Sequence, residues 1–240
     1  MNQNSSTAEN LEFIANQIYP DVVVLCNNET VKKKDKTMKK RIYFTIKRLF
    51  DIIASFFALI ILSPIFLITA IAIKVDSKGP AFYSQMRVGK NGKLFRVYKF
   101  RSMCQDADEK RAELQKFNER SGPAFKITND PRITRVGKFI RTTCIDELPQ
   151  CINILRGDMS VVGPRPPLPN EVIQYTDYQK KRLEAVPGLT CYWQVSKNKN
   201  DIEFDDWVAL DVKYIQEQSL WVDLKLILKT VALGFRANGE

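Results

Sequence analysis

Hydrophobic and polar positions divide the chain into three unlike stretches. Residues 1–40 are polar, rich in Asn, Thr and Lys, and read as a flexible tail. Within them Asp21–Leu25 (DVVVL) forms one short β-like run, a strand or a docking segment. Leu49 to Ile73, LFDIIASFFALIILSPIFLITAIAI, is the most apolar stretch, and Asp51 is its only charge. Arg41–Phe50 is basic and aromatic and leads into that run as helix. Beyond Ile73 the apolar positions scatter into short elements, so residues 41–75, 76–235 and 236–240 form a membrane segment, a folded domain and a short tail.

The folded part has no βαβαβ rhythm. Phe82–Val88 and Leu94–Phe100 read as two strands joined by a turn at Gly89–Lys93. Asp106–Asn118 predicts a surface helix, Ile133–Arg141 a short basic segment, and Glu147–Leu155 a helix stopped by Arg156-Gly157. Gly163–Pro169 (GPRPPLP) predicts a rigid extended loop. Glu171–Glu184 predicts a helix ended by Pro187-Gly188, and Trp207–Glu217 and Leu220–Leu233 the last two helices. In the final one Leu220, Leu224, Ile227, Leu228 and Val231 share a stripe beside Trp221. That stripe suits either core packing or a bilayer interface.

Length and charge sharpen the middle stretch. Twenty-five helical residues would span about 37 Å, against a hydrocarbon core of about 30 Å. The net charge is +10. Residues 31–48 carry nine basic residues and one acidic, and residues 74–103 eight and one. A simple span would strand one basic cluster on the far side. A re-entrant hairpin keeps both on the cytoplasmic face, near anionic lipid. Ser63-Pro64 lies near the middle of the run. Pro64 lacks an amide hydrogen and favours a break, and Ser63 can serve a carbonyl freed there.

Composition removes several chemistries. With no His among 240 residues, imidazole bases and nucleophile systems that need them are excluded, and the five Cys have no zinc spacing. GKNGK lacks phosphate-loop spacing and reads as a hairpin turn. The basic clusters flank a membrane run without any nucleic-acid fold signature, so no nucleic acid is expected.

What remains is Asp146-Glu147 in RTTCIDELPQ. Pro149 suits a first helical turn, which would put Asp146 at or near an N-cap. Arg132, Arg135 and Arg141 precede the pair, and Arg156, Asp158 and the loop residue Arg165 follow. Guanidiniums match phosphate oxygens in pairs, and carboxylates with substrate phosphates suit Mg²⁺. The pair is equally compatible with helix-start decoration that ion-pairs with Arg141.

The ordered segments KRLFDIIASFFALIILSPIF, GPAFYSQMRVGKNGKLFRVYKFRSM, DPRITRVGKFIRTTCIDELPQ, INILRGDMSVVGPRPP, PGLT and SLWVDLKLILKT resemble the bacterial sugar transferase family, the monotopic phosphoglycosyl transferases. The resemblance runs from about Lys47 to Phe235 and is to the short form, without the extra N-terminal membrane helices of longer relatives. It implies an α+β fold: a re-entrant hairpin broken at Ser63-Pro64, attached to a mostly helical cytoplasmic domain with a small β-hairpin and interfacial amphipathic helices. It implies transfer of sugar-1-phosphate from a UDP-sugar to undecaprenyl phosphate at the bacterial inner membrane, feeding exopolysaccharide, capsule, O-antigen or glycoprotein glycan synthesis. By carry-over Asp146 attacks the β-phosphorus and UMP leaves. Glu147, with Asp146, binds Mg²⁺. Arg141 and Arg165 bind phosphate, and Lys99 and Arg101 match basic positions near the site. A second copy of the chain and downstream glycosyltransferases are the protein partners it suggests.

Two positions depart from the family pattern. Cys191 stands where GLTG is usual, and Ser196-Lys197-Asn198 where Ser-Gly-Arg is common, which puts a close backbone approach and a sugar or nucleotide contact in question. The rival readings are an inactive membrane scaffold for glycan assembly and a basic lipid-binding module.

Overall fold

The structure, a computed structural model, describes residues 38–119, 121–196 and 201–236. The Asp21–Leu25 run and the Lys197-Asn198 departure lie outside the described residues. Two helices open the fold, α1 (Met38–Ile61) and α2 (Ser63–Asp76). The pair Lys40–Ile61 and Ser63–Asp76 is bent by 60°. The cause is the one expected from sequence. Pro64 offers no amide to the Ile60 carbonyl one turn back, and the Ser63 hydroxyl donates to that carbonyl instead at 2.8 Å. No single described helix is long and apolar enough to cross a membrane, whereas the bent pair together is. Phe56, Phe57, Ile60, Ile61, Leu67, Ile68 and Ile71 are each more than half exposed.

The polar turns of α1 explain why the charges stop at Asp51. Its buried carboxylate accepts from the Val161 amide at 3.0 Å. Arg48 donates to the carbonyls of Ile154 and Leu155, and Lys47 and Tyr43 donate to Asp223 at 2.7 and 2.9 Å. The far end of α2 is held as firmly. Asp76 accepts from the Val136 amide at 3.0 Å, and Ile73 packs with Ala81, Phe100 and Ile140. Both ends of the hairpin are therefore fastened to the folded domain.

That domain mixes helices with two small sheets. The two expected strands, β1 (Phe82–Val88) and β2 (Leu94–Phe100), pair antiparallel, Phe82 against Phe100 and Val88 against Leu94. A 3-10 turn joins them, with Asn91 at φ 54°. The predicted helix over Asp106–Asn118 shrinks to α3 (Lys110–Leu114) and one 3-10 turn. Only Ala107 is buried among the residues of that stretch whose burial is described, too little apolar face to hold a longer helix. The basic segment after Ile133 is helix α4 (Arg135–Thr142), capped by Thr134, which accepts from the Gly137 amide. α5 (Gln150–Arg156) ends at Gly157, φ 88°.

Two strands were not foreseen. β3 (Ser160–Val162) and β4 (Gly188–Thr190) run parallel. Nor is Glu171–Glu184 one helix. It is α6 (Pro169–Val172), then α7 (Asp177–Lys180) with a 3-10 turn, because Thr176 and Gln179 form a new capping box that restarts the chain. α8 (Phe204–Glu217) and α9 (Leu220–Arg236) close the fold. Val88, Val172, Tyr175, Leu183, Phe204, Trp207 and Val208 build the largest core cluster. On α9 the core side is Asp223 and Leu226. The foreseen stripe divides: Leu220, Leu224, Leu228 and Val231 are exposed, while Ile227 is half-buried and packs against the cluster of Val162, Tyr214 and Leu226.

Candidate active site

Asp146 and Glu147 lie in a 3-10 turn, Ile145–Glu147, that follows Cys144. Cys144 takes a left-handed conformation, φ 56°, and so ends the run of α4 and reverses the chain. Ile145 packs against the cluster of Ile73 and Phe100, which seats the turn on the end of α2. The expected N-cap position is corrected here. Helix α5 starts only at Gln150, after Pro149, so Asp146 precedes it by a full turn. Its anion preference cannot then be credited to that helix.

Electrostatics separate the two carboxyls. Glu147 receives the Lys99 ammonium at 2.5 Å. Burial opposes its ionisation, but Lys99, Arg165 and Arg87 outweigh that cost and hold the carboxyl down to about 2. Asp146 is 8 % exposed. Burial pushes its pKa above the ordinary aspartate value, Glu147 adds to that, and Lys99, Arg141 and Arg165 oppose it. Its carboxylate makes no hydrogen bond among the described residues. A fixed anion thus stands beside a carboxylate whose oxygens are uncommitted.

The basic residues divide by what holds them. Lys99 comes from β2 and Arg165 from the loop after β3, and both line one cleft with Glu147, Gln150 and Gln194. Arg165 is half-buried and has no hydrogen bond or ion pair among the described residues. Arg141 is exposed in the last turn of α4, near enough to act on the Asp146 charge. The ion pair of Arg141 with the dyad, the structural alternative, is not formed; Lys99 takes that place. Arg101 is buried and turned elsewhere: it donates to the Ser77 hydroxyl and to the carbonyls of Ser77 and Lys78, fastening the chain just past α2. Its phosphate-binding assignment therefore meets a guanidinium already engaged.

The Arg165 loop is set by a close backbone crossing. A Cβ on Gly163 would lie 2.3 Å from the Val186 carbonyl, and one on Gly188 would lie 2.2 Å from the Gly163 amide. With both glycines present, Gly163 donates to the Thr190 carbonyl at 2.8 Å and Gly188 to that of Pro164 at 2.9 Å. Cys191 does not disturb this approach. Its side chain is fully buried with Val162, Tyr214 and Leu226, and burial drives its thiol pKa well up.

Three cleft residues were missed. Arg87 carries its cation in from β1, Gln150 is 4 % exposed, and the Gln194 carbonyl oxygen is occluded with no partner. Gln150 directly follows Pro149 in the very motif that held the dyad, which was the available signal. A third cation and two carboxamides make the cleft suited to an anion joined to a neutral polar group.

Comparison with known proteins identifies the family. The profile of the family described as bacterial sugar transferase matches residues 42–237, from within α1 through α9. The chain belongs to that family. Among curated relatives, the galactosyl transferase CpsE of Streptococcus agalactiae is 47% identical over 193 residues, 80% of this chain and 43% of that protein. The undecaprenyl-phosphate galactose phosphotransferase of Salmonella typhimurium is 44% identical over 207 residues, 84% of this chain and 43% of that protein. The exopolysaccharide production protein ExoY of Rhizobium meliloti is 41% identical over 198 residues, covering 81% and 87%. The chain spans less than half the length of the first two relatives and most of the third. The second helix of the hairpin, the turn of Asp146 and Glu147 and the Arg165 loop fall within the matched stretch.

Proposed function

We propose that this chain transfers a sugar-1-phosphate from a UDP-sugar to undecaprenyl phosphate, through an aspartyl phospho-sugar intermediate, at the start of a surface glycan. The observation that carries the reading is an uncommitted Asp146 carboxylate beside Glu147, whose ionised form is held by Lys99, next to a cleft whose cations outnumber its lining carboxylate. Relatives named as undecaprenyl-phosphate phosphotransferases of galactose, glucose and N-acetylgalactosamine support the class of donor and acceptor.

In the first step an Asp146 oxygen attacks the β-phosphorus. A new carboxyl–phosphorus bond forms, the α–β bridging P–O bond breaks, and its electron pair leaves on UMP. In the second step a phosphate oxygen of the lipid attacks the same phosphorus and Asp146 departs as carboxylate. Neither leaving group needs a proton at neutral pH, so the absence of His is no obstacle. Lys99 and Arg165 stabilise charge on the phosphoryl oxygens, and Arg141 lies at the open side of the dyad. Arg101 acts at a distance, holding the end of α2 under the dyad turn. Splitting the transfer in two lets a soluble donor and a lipid acceptor react in turn.

The donor set also fits Mg²⁺. Two consecutive carboxylates are present, Glu147 is ionised, and one of its oxygens lies outside the Lys99 pair, which leaves room for a hard cation shared with substrate phosphates. Asp146 and Glu147 would hold it, and it would supply further positive charge at the diphosphate.

The bent α1–α2 pair, with its exposed apolar face and basic flanks, reads as a re-entrant anchor in the cytoplasmic leaflet. Its polar turns keep the domain at headgroup level, where an acceptor phosphate lies and where anionic lipid meets the basic flanks. The exposed stripe of α9 with Trp221 suits the same interface. A panel of UDP-sugars presented with undecaprenyl phosphate and Mg²⁺, scored for UMP release, tests the reading. Release with at least one donor is expected, and no release with any donor overturns it.

A further inference from the structure

We infer that Arg87 is a diphosphate-binding residue of the cleft, acting beside Arg165. It rests on the reading above only in that the donor carries a diphosphate.

Arg87 is held, but by neutral groups. It donates to the Pro166 carbonyl at 3.0 Å and to the Gln85 side-chain oxygen at 2.8 Å. Among the described residues no carboxylate lies within ion-pair distance of it. The largest negative influence on it is Glu171, whose carboxylate already accepts from the Leu168 amide. A guanidinium has five N–H donors, and two of these contacts leave the remainder for the cleft it lines.

The other buried guanidiniums behave differently. Arg132 meets Asp130 at 2.6 Å, and Arg182 meets Asp211 at 2.6 Å. Arg101 is surrounded by carbonyls and a hydroxyl and lies outside the cleft. Arg87 alone among these four both faces the cleft and stands beside another cation. Burial, and then the Arg165 charge, lower its pKa to about 10, so it is still charged at neutral pH. Two half-buried like charges held together are costly in the empty cleft, and a bound dianion reverses that cost.

The backbone fixes the spacing between them. Val88 donates to the Pro167 carbonyl at 3.0 Å while Arg87 donates to that of Pro166. Strand β1 is thereby stitched to the two loop residues that directly follow Arg165. Lys99, Arg165 and Arg87 face one lining carboxylate, Glu147. Three cations around one anion are more than a single phosphate requires, and they suit two linked phosphates.

The test uses the full chain in nanodiscs, in metal-free buffer, with inorganic pyrophosphate and orthophosphate as calorimetric probes. Wild type is expected to bind pyrophosphate the more tightly. Arg87→Gln is expected to lose about tenfold in pyrophosphate affinity, the scale of one charge-assisted hydrogen bond, and to show a weaker salt dependence. Arg87→Lys is expected to keep the wild-type salt dependence with a smaller loss. Equal losses in both variants with unchanged salt dependence would mean that Arg87 only braces Pro166, and would overturn the inference. A folded Arg87→Gln with wild-type pyrophosphate affinity would do the same. If Arg87→Gln does not fold, the Lys variant decides: wild-type affinity in it overturns the inference, and a loss with retained salt dependence supports it.

The two readings fail separately. Arg87-dependent pyrophosphate binding with no UMP release from any UDP-sugar would sink the transfer reaction and keep this site. UMP release with an unchanged donor KM in Arg87→Gln would sink this site and keep the reaction.

Discussion

The buried polar core and the dyad cleft use the same side chains to opposite ends. In the core, Asp223 is saturated: Tyr43, Lys47 and Tyr214 all donate to it, at 2.9, 2.7 and 2.8 Å. Arg182 meets Asp211 at 2.6 Å, with the rings of Tyr175, Phe204 and Trp207 packed around the guanidinium. Each of these charges has an opposite charge beside it and is sealed from solvent, although Asp211 Oδ1 and Arg182 Nε make no hydrogen bond among the described residues. Next to the cleft, Asp146 is nearly as buried yet accepts no hydrogen bond among the described residues, and within it Arg87 and Arg165 have no carboxylate at ion-pair distance among those residues. Burial and charge are common to both regions. Guanidiniums without an ion-pair partner are what distinguish a place built to receive an anion from one built to join helices.

The sharpest way to break that comparison is to neutralise one aspartate in each region. Asp146→Asn should lower UMP release roughly a thousandfold or more, the scale of losing a nucleophile, while leaving the thermal midpoint unchanged or raised. The sign follows from its raised pKa: folding disfavours the ionised form above the unfolded pKa, so removing the charge relieves the folded state. Asp211→Asn should do the reverse to stability, because it strands Arg182 in the core. About 3–5 kcal/mol should be lost in denaturant titrations.

Lys99→Met probes the coupling within the cleft. Donor turnover should fall by roughly one to two orders of magnitude, as for one charged contact at a transferring phosphoryl. Its pH profile should shift as well. In wild type the acid limb reports ionisation of Asp146, since Glu147 stays ionised down to about pH 2, and it lies above the ordinary aspartate value of about 3.9, because burial and then the Glu147 charge raise it. Activity is lost as pH falls through that limb. Without the Lys99 charge, which lowers both carboxyls, the limb should move to higher pH. An unmoved limb would detach Lys99 from the dyad.

The smallest effect is expected at the helix break. Ser63→Ala removes one hydroxyl–carbonyl hydrogen bond, a net loss of about 1 kcal/mol or less, and the bend should persist because Pro64 remains. Pro64→Ala returns an amide to the Ile60 carbonyl and should straighten the pair. Distances between spin labels at the two flanks, measured in vesicles, would lengthen only in the second variant.

How much of this was legible in the sequence depends on whether the cause is local. The break at Ser63-Pro64 and the bounds of β1 and β2 were, because proline chemistry and a five-residue turn act on their neighbours. Asp146, Glu147 and Arg165 stood out as residue types in one stretch. Arg87 did not, since an arginine inside an alternating strand reads as solvent-facing, and only the approach of Pro166 and Pro167 turns it into a cleft wall. Arg101 misled for a related reason. Two residues from Lys99, it shares that side's charge but is drawn to the carbonyls past α2. Strands β3 and β4, three residues each, are too short to show alternation and exist because Gly163 and Gly188 let two backbones meet. On α9 the periodicity was visible while the side facing the core was not, because that side is marked by a buried aspartate whose partners lie in α1 and α8.

The most direct test of the central claim is capture of the intermediate. Full-length protein in membranes is mixed with Mg²⁺ and a UDP-sugar labelled at the β-phosphorus, without lipid acceptor, and quenched for mass spectrometry. The account predicts one phospho-sugar adduct, cleaved by hydroxylamine, mapped to Asp146 and absent from Asp146→Asn. An adduct of undiminished yield in that variant, or UMP release that requires the acceptor and leaves the protein unlabelled, would contradict it.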